Sequence, residues 1–458
     1  MLSARDIINE FSKALAAGRG SIFVGSGISS PSGLPSWADL LKDMARSRLN
    51  LDLLPDDDLP LVAQHIVNRT GSRGPLIAHF RETLNQKYHP NSYHTILSRC
   101  NVKRLWTTNY DTLLEDTFKR HTQVTVRASD ESISRAAAVS DIEVIKMHGC
   151  IQQSEGEDLV VTQEDYENFF EFRPATCNRL KQDLIDRQFL FIGYSYADSN
   201  IKNIVVEARR LAKNSPIQHY IVLPRQKEGS QDEIAAKQAR QDLWLADLSR
   251  LGIAACQIDD FSELEQILQE IALRSRGETV FVTGSHKRES LREDNHPKEL
   301  GKLLAEQRNI ILLDGQSSGI GRIVMSAYMD ECLISNIDVL DRLRLFSNPY
   351  AANPRLSDNP KLLSTLMEWR APLMRSAQVV VVYNGGMGTE TEVQLARELG
   401  CKIIPVPEHA GDLPSHLLSI NEIGHVIKMA DPDYFEKALK NSVTPQDVVD
   451  CIKRMFNK

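Results

Sequence analysis

A chain of 458 residues exceeds what one hydrophobic core supports, so two or three domains are expected. Its 42% hydrophobic and 25% charged residues are the composition of a soluble globular protein, with apolar material for a core throughout. The net charge of −7, with no block of Lys and Arg in either half, argues against a general nucleic-acid or membrane surface. No run of about 18 apolar residues occurs and the first residues carry charges, so a cytoplasmic protein is expected. Seven scattered cysteines without a C-x-x-C pair suit reduced thiols buried as small apolar groups.

In chain order, Ile7, Ile8, Phe11, Leu15 and Ala16 fall at helical spacing, and Ser21-Ile22-Phe23-Val24 reads as a strand. That strand enters Gly25-Ser26-Gly27, where missing β-carbons let main-chain N–H groups approach a diphosphate. Ser30 replaces the third glycine of the dinucleotide fingerprint. Ser32-Gly33-Leu34-Pro35 is a constrained loop, and Ser36 with Asp39 predicts a capped helix bearing Trp37, Leu40, Leu41 and Met44 on one face, with Trp37 read as core. Residues 52–83 predict helices of a small module or cap over the sheet. Asn91 or Ser92 caps the next helix, and His94 is read as a structural histidine.

The strand Arg104-Leu105-Trp106-Thr107 ends at Thr108-Asn109-Tyr110-Asp111, which would face the same crevice as Gly25, because ligands bind beyond the carboxyl ends of strands in open α/β sheets. Capping of the helix from about Thr112 is the alternative role for Asn109 and Asp111. Ile142–Met147 is a further strand ending in His148-Gly149, and a histidine there can act as general base without extreme tuning. Leu190–Ile192 enters a glycine turn at Gly193-Tyr194-Ser195, and Asp198-Ser199-Asn200 reads either as a ligand contact or as a helix cap. Strands at His219–Pro224 and Gly252–Ile258 complete the sheet, a solvated surface helix fills Arg225–Leu248, and Phe261–Leu273 closes the domain. Arg274-Ser275-Arg276-Gly277-Glu278 reads as a linker.

From Thr279 the pattern restarts. Thr279–Thr283 leads to Gly284-Ser285, Ile310–Asp314 leads to Gly315 and a glycine-rich turn through Gly321, and Arg342–Phe346 is a third strand. Gln378–Tyr383 then runs into Asn384-Gly385-Gly386-Met387-Gly388-Thr389 and a helix with Glu390 and Glu392, followed by strands at Lys402–Val406 and His425–Lys428. The fold class expected is α/β, with two Rossmann-like doubly wound parallel-sheet domains, residues 1–274 and 278–458.

The order Gly25-Ser26-Gly27-Ile28-Ser29 … Ser32-Gly33-Leu34-Pro35, then Pro90-Asn91-x-x-His94-x-x-Leu97, Asn109-Tyr110-Asp111, His148-Gly149 and Gly193-x-Ser195 resembles the sirtuin family, with Thr108 in place of its glutamine. The resemblance implies that Asn109 orients water and ribose, His148 accepts a proton and Asp111 holds the nicotinamide ribose. It also implies that Gly25, Ser26, Gly27 and Ser29 bind NAD+ at its diphosphate, and Gly193 and Ser195 at its adenosine half. Sirtuin deacetylases carry a zinc module with two C-x-x-C pairs after the histidine. Here only Cys150 and Cys177 lie between His148 and Gly193, too few for a closed tetrahedral site, so no metal is expected and water becomes the nucleophile.

The run Gly385-Gly386-x-Gly388-Thr389-x-x-Glu392 is similar to the nucleotide-binding family of Lonely Guy phosphoribohydrolases and SLOG sensor domains. It implies an effector site built from Gly284, Ser285, Gly315, Gly385, Gly386, Gly388, Thr389 and Glu392, with Arg355, Arg370 and Arg375 as cations. Asn384 stands where the enzymes have proline and Ala371 where they have lysine, which favours binding over catalysis.

A sirtuin-like domain joined to a SLOG domain, without the zinc module, resembles the NAD-degrading effectors of bacterial Thoeris anti-phage systems. That implies an NAD+ glycohydrolase activated by a cyclic ADP-ribose isomer from a TIR-domain partner protein, causing NAD depletion in abortive infection. It implies a homotetramer or higher assembly, and no prosthetic group, nucleic-acid or membrane partner. The alternatives are a sirtuin-type protein deacylase or ADP-ribosyltransferase, a non-catalytic nucleotide-binding scaffold, and a phosphoribohydrolase in the second domain.

Overall fold

The computed structural model describes residues 2–135, 142–153, 158–194, 196, 198–212, 217–227, 229–285, 295–348 and 360–457. They form two compact units, Met1–Ser275 and Arg276–Lys458, each α/β around a parallel sheet.

In the first unit the strands are β1 (Gly20–Val24), β2 (Arg104–Thr107), β3 (Val124–Arg127), β4 (Ile142–Lys146), β5 (Gln188–Ile192), β6 (His219–Pro224) and β7 (Ile253–Ile258). All pair in parallel, in the order β3-β4-β2-β1-β5-β6-β7. A parallel sheet is covered on both faces, so its strands need apolar residues at every position. β1 does this with one alternation: Ile22 and Val24 pack with Phe11, Leu264 and Ile267, whereas Phe23 packs on the other side with Trp106, Phe191 and Leu180. Because β2 and β5 flank β1, the crevice beyond the carboxyl end of β1 is a topological switch point.

Between β1 and β2 the helices Trp37–Met44, Leu59–Thr70 and Gly74–Leu84 build a separate small core of Leu41, Ala63, Ile66, Leu76 and Phe80. Ile151 and Val161, from the chain after β4, complete that core and tie the module to the strand that carries His148. The helix Trp37–Met44 starts with a reciprocal cap between Ser36 and Asp39, as its sequence requires.

The second unit has β8 (Thr279–Thr283), β9 (Ile311–Asp314), β10 (Leu343–Leu345), β11 (Val379–Val382) and β12 (Lys402–Pro405), in the parallel order β10-β9-β8-β11-β12. Its switch point lies between β8 and β11. One expected strand is absent: His425–Lys428 lies inside the helix Asn421–Ala430. Ile423, Ile427 and Ala430 are buried while Val426 and Met429 are exposed, so the apolar period is helical, and four residues were too short a window to reveal it.

The division between the units falls inside the stretch read as a linker, 274–278, where Ser275 and Arg276 are nevertheless buried. Asn101 N–H donates to Ser275 Oγ at 2.9 Å within the first unit. Arg276 is 2% exposed in the second, where its guanidinium donates to the carbonyls of Ala377 and Leu399 just past the helices Pro360–Ser376 and Met387–Glu398. A cation serves the last carbonyls of a helix well.

Lys146 closes β4 and is fully buried, as is Glu115, 2.8 Å away. Its ammonium also donates to the Asp111 carbonyl, clamping the loop after β2 against β4. Burial pushes the Lys146 ammonium down, but Glu115, Cys150 and Asp111 outweigh it and raise it above its usual range. Lys146→Met leaves the Glu115 carboxylate buried without its cation, which costs about 3–5 kcal/mol. Urea unfolding of the full chain should register that loss, and adding Glu115→Leu should recover most of it; an unchanged midpoint for the single variant contradicts the clamp.

Candidate active site

Beyond Val24 the backbone of Gly25 is extended and leads into a one-turn helix, Ser26–Ser29. A Cβ on Gly25 would lie 2.3 Å from the Gly193 carbonyl oxygen, and one on Gly193, at φ +58°, would lie 2.7 Å from the Ile28 nitrogen. The glycines are therefore required by the contact of the β1 turn with the β5 turn. This revises the diphosphate reading: the N–H groups of Gly25 and Gly27 donate to Ile192 and Gly193 carbonyls, each at 2.9 Å, so they are spent inside the fold. Ser26, which is exposed, and Ser29 line the cleft beside them.

The cleft has a volume of about 980 Å³ and receives Asn109, Asp111 and His148 on one lining and Gly27, Ser29 and Gly193 on another. Asn109 is held firmly. Its N–H donates to Thr107 Oγ1 at 2.9 Å, and its side-chain amide donates to Gly25 O and Ser29 Oγ, both at 3.3 Å. Both amide hydrogens are thus directed into the protein, leaving the amide oxygen to accept from a ligand hydroxyl or water. Ser29 Oγ lies 3.4 Å from Nε2 of His94. His94 is fully buried on the helix Ser92–Arg99, where Asn91 N–H donates to its Nδ1, and burial pushes its pKa down against the pull of Asp111. It acts in the fold, as read from the sequence, and it supports Ser29.

Asp111 opens a helix and stands at the cleft. One carboxylate oxygen accepts from the Leu113 N–H at 3.0 Å, opening the helix Leu113–Phe118, and the residue also lines the cleft.

His148 follows β4, between Met147, whose N–H donates to Thr107 O, and Gly149, whose φ of +88° favours glycine. Tyr110, Tyr166 and Phe169 surround the imidazole with ring centroids at 6.4, 5.5 and 6.1 Å. Its Nε2 lies 3.1 Å from Asp198 Oδ2, within ion-pair distance but without hydrogen-bond alignment. Asp198 Oδ1 accepts from the N–H groups of Asn200 at 2.8 Å and Ile201 at 3.1 Å, at the start of the helix Ser199–Ala212. Burial pushes the Asp198 carboxyl up, but the attraction of the nearby His148 and the bonds from those two N–H groups win and hold it below the usual carboxylate range.

Two cleft residues take on more than the sequence reading assigned them. Asp198 was read as a ligand contact or a cap, but nothing in the sequence pairs it with a residue fifty positions earlier. Trp37 packs against the small helical core, as read from the sequence, and its half-buried ring also stacks on Tyr166 with centroids 6.1 Å apart, both lining the cleft. Ser195 and Arg355 lie outside the described residues. Among the described residues all seven cysteines are buried and none is in a disulfide, Cys150 and Cys177 included.

In the second unit, Gly284, Ser285, Gly385, Gly386 and Thr389 meet at the switch point. Ser285 N–H donates to Asn384 O at 3.0 Å, and Gly386 N–H donates to Ser285 Oγ at 3.2 Å. A Cβ on Gly385 would strike Thr389 Oγ1, whereas one on Gly386 or Gly388 meets nothing within 4 Å. The start of the helix Met387–Glu398 is therefore open at Gly386 and Gly388. Arg370 and Glu392 do not face that opening as free charges. Arg370 Nε is 2.9 Å from Glu392 Oε1, its Nη1 donates to Gly315 O at 2.6 Å, and Thr283 Oγ1 donates to Glu392. Burial pushes the Glu392 carboxyl up despite the opposing pull of Arg370. Arg375 is buried as well, near the end of its helix.

Residues 103–246 match the model of the SIR2-like domain family, a span that contains Asn109, Asp111, His148 and Asp198. The chain is 28% identical to the NAD(+) hydrolase ThsA of Bacillus cereus (strain MSX-D12) over 352 residues, covering 75% of this chain and 73% of that protein. It is 27% identical to the NAD(+) hydrolase ThsA of Acinetobacter baumannii (strain 532279) over 427 residues, 87% and 86% of the two chains. The protein of that name from Enterococcus faecium is 31% identical over 291 residues, 61% of this chain and 60% of its own. The chain is thus similar to the ThsA proteins over a length that extends from the first unit, where the SIR2-like match lies, into the second.

Proposed function

We propose that the first unit hydrolyses NAD+ to nicotinamide and ADP-ribose. The observation that carries the reading is the convergence of Asn109, Asp111 and His148 on one cleft at the switch point of the sheet. In the reaction the C–N glycosidic bond breaks and its electron pair passes to the pyridinium nitrogen, which leaves as neutral nicotinamide. Little acid catalysis is needed at that departure. Water adds to the anomeric carbon from the position held by the Asn109 amide oxygen, and its proton passes to His148. Asp111 takes the ribose hydroxyls. Trp37 and Tyr166 give the cleft an aromatic wall suited to a flat base, and the half-exposed Trp37 is placed to shed water as the cleft fills.

The second unit is the sensor in this reading. A cyclic ADP-ribose isomer, supplied by a TIR-domain partner protein, binds at the open helix start of Gly386 and Gly388 and favours the active state by its differential affinity for it. The outcome is NAD depletion in anti-phage defence, carried out by a homotetramer or higher assembly. Support comes from the resemblance of both units and from the names of the ThsA relatives.

Nicotinamide release by the full chain, with and without a panel of cyclic ADP-ribose isomers, tests the reading. His148→Ala should lower the stimulated rate by about 10²–10⁴-fold with the fold intact. A variant retaining near wild-type turnover removes His148 from the reaction. For the sensor, Arg370→Ala is a poor probe because it breaks a buried ion pair. Gly388→Asp is better, since the site is open and an acidic residue in a first helical turn is itself favourable. It should raise the isomer concentration needed at least tenfold, leaving the fully activated rate unchanged; an unaltered dose response places the effector elsewhere.

A further inference from the structure

We infer that Asp198 is the positioning residue that fixes the tautomer of His148, placing the proton on Nε2 and leaving the Nδ1 lone pair to face the cleft. The inference rests on the proposed role of His148 as a base, and deepens it. Its grounds are the 3.1 Å separation of Nε2 and Oδ2, the near-complete burial of both side chains, and the division of labour within one carboxylate. Oδ1 is committed to two backbone N–H groups at the start of a fourteen-residue helix, so the carboxylate cannot rotate away without losing that cap. Oδ2 is therefore presented to the imidazole from a fixed origin. A carboxylate oxygen 3.1 Å away repels a ring-nitrogen lone pair and attracts an N–H, so even without hydrogen-bond alignment the facing nitrogen carries the hydrogen and the other nitrogen is the acceptor.

Two of the three rings packed on the imidazole do not compete. Tyr110 OH donates to the Val160 carbonyl at 2.6 Å, and Phe169 offers no polar atom. The Tyr110 and Tyr166 phenols are both driven up by burial, so they stay neutral and add no second negative charge. The His148 backbone is fixed separately, its carbonyl accepting from Val160 N–H at 3.1 Å. Ring position is thus set by the aromatic wall and the main chain, and Asp198 is left with the choice of which nitrogen is protonated.

Asp198→Asn discriminates. The amide oxygen can keep the helix cap, while an NH₂ replaces Oδ2 and donates to Nε2, forcing the proton onto Nδ1. The full chain, labelled at histidine ring nitrogens and carbons, can be read by solid-state NMR, with the His148 signals identified by difference against His148→Gln. We expect the Nε2–H tautomer in the parent and Nδ1–H in the variant. Stimulated nicotinamide release should fall about 10²-fold in kcat, with KM for NAD+ and the Kd for ADP-ribose within about twofold of the parent. The melting temperature should stay close to that of the parent, separating this effect from loss of the helix. A parent carrying the proton on Nδ1, or a variant whose tautomer and kcat are both unchanged, overturns the inference. Should the parent release no nicotinamide under any condition, the reaction assignment falls, while the tautomer measurement still decides the role of Asp198.

Discussion

The turn after β1 and the turn after β5 approach until only a missing Cβ lets them touch, and the geometry of the first unit is referred to that contact. A methyl on Gly25 would overlap the Gly193 carbonyl, and one on Gly193 would overlap the backbone of Ile28. With both turns locked, the Gly25 carbonyl becomes a fixed acceptor for the Asn109 amide, and Asn109 in turn is tied to Thr107 at the end of β2. Thr107 accepts from Met147, the residue before His148. Neighbouring strands thus hand position from one to the next, from β5 through β1 and β2 to β4. The side chains proposed for the chemistry stand at consecutive points on that path.

Buried charge is used in the same manner, to fix direction more than to add stability. Lys146 with Glu115, and Arg370 with Glu392, are pairs whose desolvation largely offsets their attraction. Each, however, also holds a backbone carbonyl: Asp111 in the first unit and Gly315 in the second. Asp198 likewise divides its oxygens between a helix start and His148, and Asp111, which lines the cleft, uses one oxygen to open a helix. In a low-dielectric setting a half-satisfied group is costly, so these arrangements resist reorientation. The two switch points nevertheless differ in character. The first surrounds a deep cleft with side chains, whereas the second keeps its charged pair internal and offers the open start of a helix.

Much of this was legible in the amino-acid order because it depends on short-range rules. Strand–glycine–helix punctuation located both switch points, and the caps at Ser36 and Asn91 followed from side-chain chemistry within three residues. His94 was readable as structural for the same reason, since its partner Asn91 is close in sequence. The errors share one cause. His425–Lys428 was too short to separate a period of 2 from one of 3.6, and the burial of Arg276 beside the unit boundary was hidden because its acceptors lie over a hundred residues away. Gly25 and Gly27 were credited with donating to a ligand, when their N–H groups are consumed by a strand far along the chain.

The sequence by itself determined which residues are available: two α/β repeats, a glycine turn after the first strand of each, and an asparagine, an aspartate and a histidine at strand ends. These are local properties, set by φ preferences, apolar period and the reach of a side chain to its own backbone. Only the tertiary structure decided what each group faces. It turned the Asn109 amide inward, set Asp198 against His148, gave Trp37 of the helical core a place on the cleft wall as well and closed Arg370 onto Glu392. Those outcomes depend on distances between residues remote in the chain, and such distances come into being only when the sheet has assembled and its strand ends have been brought together.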